Sequence, residues 1–383
     1  MASNGRNHAI DALRGFSILI VMMLHGAAPI PDFIQSDARL AKFVMNGGYG
    51  VSIFFVVSGF LISSNVIKRR EKLSRIEIDQ FYATRAGRIL PNIALFFLVY
   101  YALMKSGITD FVPSPPSLFY DGINSLATLQ YGNFYLARGN VPGMYAFSPM
   151  WSLSIEETFY ALFPIACFFL RSDRMIVLAA AILVLIGPFM RPQFPDILLF
   201  WGAVDLLAIG CIAAKVVSIV HDREALQALA LPLIFSGVAA LAICFAYSDI
   251  RQDQQWVLSM IGAGTAAILI GVSFDCVIEQ LQGWPGAAMS PLSFIGRMSL
   301  QLYVFHVMAR ELFASTLGPY WLFAGLIVMS WALERWFLEP ANQRIRAFYR
   351  RPAQGIVSGN VGSVAEPLKT IVVRPDWTRT NNS

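Results

Sequence analysis

The chain has 383 residues, of which 56% are hydrophobic and 14% charged, and its mean hydropathy is +0.57. A soluble globule carries nearer ~25% charged residues, so that class is excluded and an all-α, polytopic membrane helical bundle with lipids as its surroundings is expected. The formal net charge of +5 follows from loop bias and gives no support for nucleic-acid binding.

Apolar runs near or above the ~18 residues that a bilayer core demands of a helix number about ten. They lie near 10–30, 48–67, 88–105, 151–170, 174–190, 197–217, 229–247, 256–275, 292–312 and 319–338. The link after the second run holds Lys68, Arg69, Arg70, Lys72, Arg75, Arg85 and Arg88, the densest basic stretch in the chain. Lys and Arg in short loops mark the cytoplasmic side. Alternation from that loop places both the N- and C-termini in the cytoplasm. No cleavable signal peptide is evident before the first run, which is expected to stay in the membrane. Residues 8–345 are expected to form one transmembrane domain. Residues 346–383, turning polar and rich in Gly, Ser, Asn and Thr, are expected to be a flexible cytoplasmic tail. Oligomeric state is not legible at this level.

In the first run, Arg14 precedes His25 by eleven residues. In a helix this is just over three turns, so both side chains share a face, roughly 16 Å apart along the axis. Ionisable groups at membrane depth are costly and usually mark a site; the competing reading is that both snorkel to opposite interfaces. Asp11, three residues before Arg14, is its simplest partner. The small residues of Gly47-Gly48-Tyr49-Gly50 and Ser58-Gly59 permit close helix approach.

Arg85 and Arg88 are three apart, so a helical turn aims both the same way, suited to clamping phosphate. Topology alone also accounts for basic residues there, in contact with anionic headgroups. In Met150-Trp151-Ser152-Leu153-Ser154-Ile155-Glu156-Glu157-Thr158-Phe159-Tyr160, the residues Ser152, Glu156 and Tyr160 recur every four positions and form one polar stripe. Trp151 sits beside it as an interface anchor. Glu156 is placed to orient His25, or else the two acids cap a helix start. His306 and Arg310 are four apart, facing an acceptor or forming an interfacial pair. Cys167, Cys211, Cys244 and Cys276 have no metal-ligand spacing and read as packing residues, and the four histidines are scattered; no metal is expected.

Together these residues resemble the acyltransferase-3 family: Arg14 and His25, the run Val51-Ser-Ile-Phe-Phe-Val-Val-Ser-Gly59, Arg85 and Arg88 before Pro91, and Trp151-Ser-Leu-Ser-Ile-Glu156-Glu-Thr-Phe-Tyr160. Ser299-Leu-Gln-Leu-Tyr303-Val-Phe-His306 and Glu339-Pro340 fit its C-terminal half more loosely. The resemblance covers nearly all of residues 8–345. It implies an integral-membrane O-acyltransferase of the bacterial inner membrane that moves an acetyl group from cytoplasmic acetyl-CoA to a carbohydrate such as lipopolysaccharide, exopolysaccharide or a related oligosaccharide. By position, Arg14 and His25 match the family's essential first-helix pair, Arg85 and Arg88 the pair linked to the acyl donor, and Glu156 the fourth-helix acid. Many members carry a further soluble esterase-like domain, and the chain resembles those that do not.

The expected chemistry follows. Arg85 and Arg88, with Arg14, hold the donor, and His25 takes the proton from the acceptor hydroxyl or carries the acetyl group itself. Glu156 orients the imidazole, while Trp151, Ser152, Tyr160 and His306 line the glycan cleft. Tyr120, Tyr131, Phe134, Tyr135 and Tyr145 are available to stack on sugar rings. Longer acyl donors such as succinyl-CoA stay open. Intramembrane charges such as Asp205 and Glu334-Arg335 also suit a transporter or flippase, although the matching halves common in transporters are not found.

Overall fold

The computed structural model describes residues 8–126, 143–190, 203–220, 223–247, 256–280 and 290–350. Among them regular structure is helical throughout, with no strand. Each of the ten predicted runs coincides in whole or part with a helix. Among the described residues five helices are long and apolar enough to cross a membrane: Tyr49–Arg70, Ile78–Lys105, Tyr145–Leu170, Gln227–Ala246 and Pro319–Ala347.

The first run is shorter than drawn. Helix α1 (His8–Leu24) has 17 residues and stops in a glycine cap. The His25 N–H keeps the helical bond to Val21 O at 3.1 Å, and Gly26 then takes φ +70°. The Gly26 N–H reaches Met23 O at 3.1 Å and the Ala27 N–H reaches Met22 O at 2.8 Å, the paired bonds of a Schellman cap. Met22 and Ala27 are buried in one apolar cluster, the contact that accompanies such caps. His25 is thus the capping residue, not a mid-helix one.

Two short helices follow, α2 (Asp32–Ser36) and α3 (Ala38–Met45). Asp37 caps α3, its Oδ1 accepting from the Arg39 and Leu40 N–H groups at 2.8 and 3.0 Å. Those bonds, led by Leu40, hold the carboxyl below its ordinary value of 3.8. A depressed folded-state pKa stabilises above the unfolded value and is lost as pH falls through the folded one. Asp37→Ala is therefore expected to speed amide exchange in α3 at neutral pH, with the difference from wild type closing below the carboxylate range. Equal exchange at pH 7 would remove the cap.

Helix α4 (Tyr49–Arg70) is central, with most of its residues buried, whereas Gln227–Ala246 is largely exposed. Helix α5 (Ile78–Lys105) begins ten residues before the predicted run, so Arg85 and Arg88 lie within it rather than in a loop. After α6 (Ser117–Leu126) come α7 (Met150–Leu170), α8 (Asp173–Met190), α9 (Val204–Ile219), α10 (Arg223–Tyr247) and α11 (Trp256–Gln280). The ninth run is broken into α12 (Ser290–Arg297) and α13 (Ser299–Phe313) at Met298, which leaves helical geometry at φ −95°, ψ 12°. The chain ends its described part with α14 (Pro319–Leu333), a π-helical turn at Glu334–Leu338 and α15 (Glu339–Arg350). The helix α15 crosses the predicted boundary at 345, so the expected tail starts no earlier than 351.

Close backbone approaches set the packing. A Cβ on Gly15 would lie 2.0 Å from Leu292 O, and one on Gly296 1.8 Å from Asp11 O, so α1 and α12 cross with main chains in contact. Gly59 and Gly210 do the same for α4 and α9, with 2.0 Å to Leu207 O and to Val56 O. Small residues are what permit such crossings. At one end of the bundle Asp173 accepts from Ser74 N–H and O–H and from Lys215 Nζ, at 3.0, 3.1 and 2.7 Å. This joins the basic link after α4, the start of α8 and the end of α9. At the other end Tyr100, Phe111, Phe119 and Phe147 pack into one aromatic cluster. Cys167 and Cys211 are free thiols; the side chain of Cys276 lies outside the described residues.

Candidate active site

Arg14 is buried, 6% exposed. Its Nη2 donates to Ser299 Oγ at 2.8 Å and its guanidinium lies 5.4 Å from the Phe54 ring centre. Asp11, the expected partner, lines the same cavity as Arg14, but this hydrogen bond goes to the first residue of α13. At the other end of α1, His25 Nδ1 and His306 Nε2 are 2.8 Å apart, with rings stacked at 5.0 Å and 20°. Arg14 meets Ser299 and His25 meets His306, so α1 and α13 run in the same direction. The two contacts are about 16 Å apart along α1 and about 10 Å along α13.

Helix α7 runs the opposite way beside them. Ser152, Glu156 and Tyr160 are all buried on one stripe, as the four-residue spacing predicts. The Ser152 and Tyr303 hydroxyls are 2.6 Å apart, near the histidine end. Further along, Ser58 Oγ donates to Glu156 Oε1 at 2.5 Å and Tyr160 OH donates to Glu156 Oε2 at 2.9 Å. Glu156 lies beyond the first turn of α7, so it is no helix cap. The expectation that it orients His25 is corrected: its oxygens serve Ser58 and Tyr160, and the imidazole's partner is His306. The difference arises because Tyr303 and His306 enter that end from α13, which spacing along α7 does not reveal.

Glu156 belongs instead to a cluster of arginines. The Arg85 guanidinium stands 5.3 Å from the Tyr160 ring centre and 5.6 Å from that of Phe81. Three cavities meet here. One of about 170 Å³ is bordered by Arg69, Arg70, Arg85, Arg88 and Arg346. A second of about 230 Å³ is bordered by Arg14, Arg88, Arg297 and Arg346, and by Glu334 and Glu339. A narrow one of about 20 Å³ lies between them and the stripe, bordered by Arg14, Arg85, Arg88, Glu156 and Tyr160. Arg88 borders all three. Arg85 Nε is buried with no hydrogen-bond partner among the described residues, a donor left for a ligand.

The remaining expectations divide. Trp151 packs edge-on to Phe55 at 6.2 Å, and is half-buried. His306 is fully buried, so it does not line an open cleft. Arg310 turns from His306 to Glu311 at 2.6 Å and to the Tyr145 ring at 5.9 Å. Tyr120 and Tyr145 are exposed; Tyr131, Phe134 and Tyr135 lie outside the described residues. Gln301 donates to Glu334, which accounts for one of the charges that suited a transporter. Among the described residues no group of three or more His, Cys, Asp or Glu is placed to hold a metal.

Sequence reasoning missed Arg346, Arg297, Tyr303 and Ser299 as site residues. Arg346 fell in the stretch read as a flexible tail, and its spacing of four from Asn342 on an amphipathic segment was the available clue. Nothing local announces the His25 and His306 contact.

The O-acetyltransferase OatA of Staphylococcus aureus strain NCTC 8325 / PS 47 is 26% identical over 321 residues, covering 78% of this chain and 49% of the relative. OatA of strain COL and of strain N315 match with the same figures. The chain thus spans about half the length of these curated relatives. No solved structure matches. The model of the acyltransferase-3 family, described as an acyltransferase domain, matches residues 7–334, a span that takes in every residue of the site except Glu339 and Arg346; the chain belongs to the acyltransferase-3 family.

Proposed function

We propose that the protein is a multi-pass O-acetyltransferase of the bacterial inner membrane that moves an acetyl group from cytoplasmic acetyl-CoA to a hydroxyl of a glycan on the far side. The observation that carries this reading is the polar track itself. Arginines gather at one end of α1, a histidine pair closes the other, and Glu156, Tyr160, Ser152 and Tyr303 connect them.

Both termini of the domain and the arginine cavities are assigned to the cytoplasm, where the donor is made. Arg85, Arg88 and Arg346 hold the phosphates, and Arg14 holds the arm where it enters the bundle. Guanidinium pairs suit phosphate because they donate in a fixed fork. The offset of about 16 Å between Arg14 and His25 is of the order that an extended pantetheine arm spans. Glu156, pinned by Ser58 and Tyr160, balances the arginine charge and keeps the narrow passage polar.

At the far end His25 acts as general base. It takes the proton from the sugar hydroxyl as the oxygen attacks the thioester carbonyl. The C–O bond forms, the C–S bond breaks, and the proton passes from the imidazolium to the departing thiolate. Products are the acetyl ester and free CoA.

Replacing Arg85 and Arg88 together by Ala is expected to weaken acetyl-CoA binding by about a hundredfold or more, since each of the two charge-assisted contacts is worth about 1.5–3 kcal/mol. Calorimetry on the purified protein reads this directly, and unchanged affinity would return both residues to topology signals. The function as a whole is tested by O-acetyl content of surface and secreted polysaccharide in matched cells with the wild-type protein and with none. Acetyl esters that depend on the protein support the reading. No change, together with no turnover of acetyl-CoA by purified protein, overturns it.

A further inference from the structure

We infer that His306 is a positioning residue that fixes which nitrogen of His25 carries the proton, and so creates the base. The inference rests on the acetyltransferase reading for its consequence, but its structural content stands independently of it.

The argument begins at the backbone. His306 Nδ1 lies 2.8 Å from Tyr303 O. A carbonyl oxygen only accepts, so Nδ1 of His306 carries a hydrogen and donates it. In the neutral ring the other nitrogen, Nε2, then has only a lone pair. That Nε2 is 2.8 Å from His25 Nδ1, so His25 must supply the hydrogen of this second bond from Nδ1. With Nδ1 protonated, the unprotonated nitrogen of a neutral His25 is Nε2. One helical turn of α13, from the Tyr303 carbonyl through two imidazoles, thereby sets the tautomer of a residue on another helix.

The surroundings hold the arrangement rigid. His306 is 0% exposed and lies at the middle of α13, in helix from Ser299 to Phe313. Tyr303 is anchored at its other end by the hydroxyl contact with Ser152, and its ring stacks on Phe54 at 6.3 Å and 12°. Phe54 in turn lies under Arg14. His25 caps α1 through backbone bonds, which fix the point from which its side chain reaches His306. When His25 takes a proton at Nε2, its Nδ1–H bond to His306 is retained and strengthened by the charge. The site therefore does for this histidine what a buried acid does in other acyl-transfer sites, with a neutral acceptor in place of a carboxylate.

Three variants of the full chain separate this role from packing. His306→Gln carries an amide oxygen near the position of Nε2 and can still accept from His25. His306→Asn places its amide near Nδ1 instead, and His306→Leu supplies no acceptor. Expected results are a kcat reduced by about a hundredfold or more in the Leu and Asn proteins, the usual weight of a general base, with KM for acetyl-CoA unchanged and the Gln protein within about tenfold of wild type. Equal losses in Gln and Leu, or full activity in Leu, would overturn the inference while leaving the acetyltransferase reading intact.

A second readout does not need turnover. The chain has 4 histidines, so nitrogen NMR of protein labelled at histidine, assigned with a His25→Ala sample, reports the tautomer directly. Protonated Nδ1 and bare Nε2 on His25 in wild type, lost in His306→Leu and kept in His306→Gln, is the expected pattern. A protonated Nε2 on neutral His25 in wild type would overturn it. Absence of acetyl transfer by wild-type protein with that pattern intact would instead remove the functional reading alone.

Discussion

His25→Ala is expected to abolish acetyl transfer, lowering kcat by at least about 10²–10⁴-fold, while acetyl-CoA binds with near wild-type affinity. The separation follows from the length of the track. The arginines that hold the donor lie about 16 Å away along α1, and no residue bordering the arginine cavities is His25. Because His25 caps α1 through its backbone rather than its side chain, the substitution leaves the Schellman bonds in place. Loss of the imidazole removes the base and leaves His306 without its 2.8 Å partner. The measurement is paired: calorimetry for the donor, and ester formation on polysaccharide in matched cells. Retained turnover would take His25 out of the mechanism. Lost donor affinity would place the thioester end of the site closer to the arginines than the two helix offsets allow.

The second large effect is expected at Gly296. A Cβ there would lie 1.8 Å from Asp11 O and 2.9 Å from Gly15 N. These are backbone atoms inside α1, so no side-chain rotation relieves the clash. Gly296→Leu must force α1 and α12 apart, which is expected to destabilise by more than the about 1–3 kcal/mol typical of overpacking. The same motion would carry Arg14 away from Ser299, three residues after Gly296 in sequence, and open the second arginine cavity. Gly325 is the control, since a Cβ there meets nothing within 4 Å and Gly325→Ala should melt at the wild-type temperature. Melting in detergent, followed by intrinsic tryptophan fluorescence, compares the three proteins. A Gly296→Leu protein as stable as wild type would show that the crossing is looser than the backbone contact implies.

What could be read from the sequence was what repeats locally. Apolar runs declare helices because a lipid or core-facing helix must be apolar along its length, and the stripe of Ser152, Glu156 and Tyr160 is a direct result of 3.6 residues per turn. Arg85 and Arg88 aim at the same cavity for the same reason. The ninth run hid its break because Met298 is neither Gly nor Pro, and the close approach of Gly296 to Asp11 beside it joins residues far apart in the chain. His25 and His306 are 281 residues apart, and no periodicity connects them. The assignment of Glu156 to His25 failed in the same way: it used the two polar residues nearest in sequence logic and could not see that Ser58, from α4, would take one oxygen. Arg346 was misplaced, because the polar composition that marks a tail also suits the last helix, Glu339–Arg350, on which it folds back to the cavities.

Ser58 and Gly59 are neighbours with separate duties. The hydroxyl of Ser58 fixes Glu156 at 2.5 Å, and Gly59 rests directly on the main chain of α9 at Leu207. Helix α9 contributes no side chain to the track, yet it is the mount against which the Glu156 carboxylate is aligned. Bulk added at Gly210, on the side of α9 that meets Val56 O, would tilt that mount and detune the passage from a distance. Variants selected for altered activity can therefore be sought on a helix that never meets either substrate, and an alteration found there would be an adjustment of alignment rather than of chemistry.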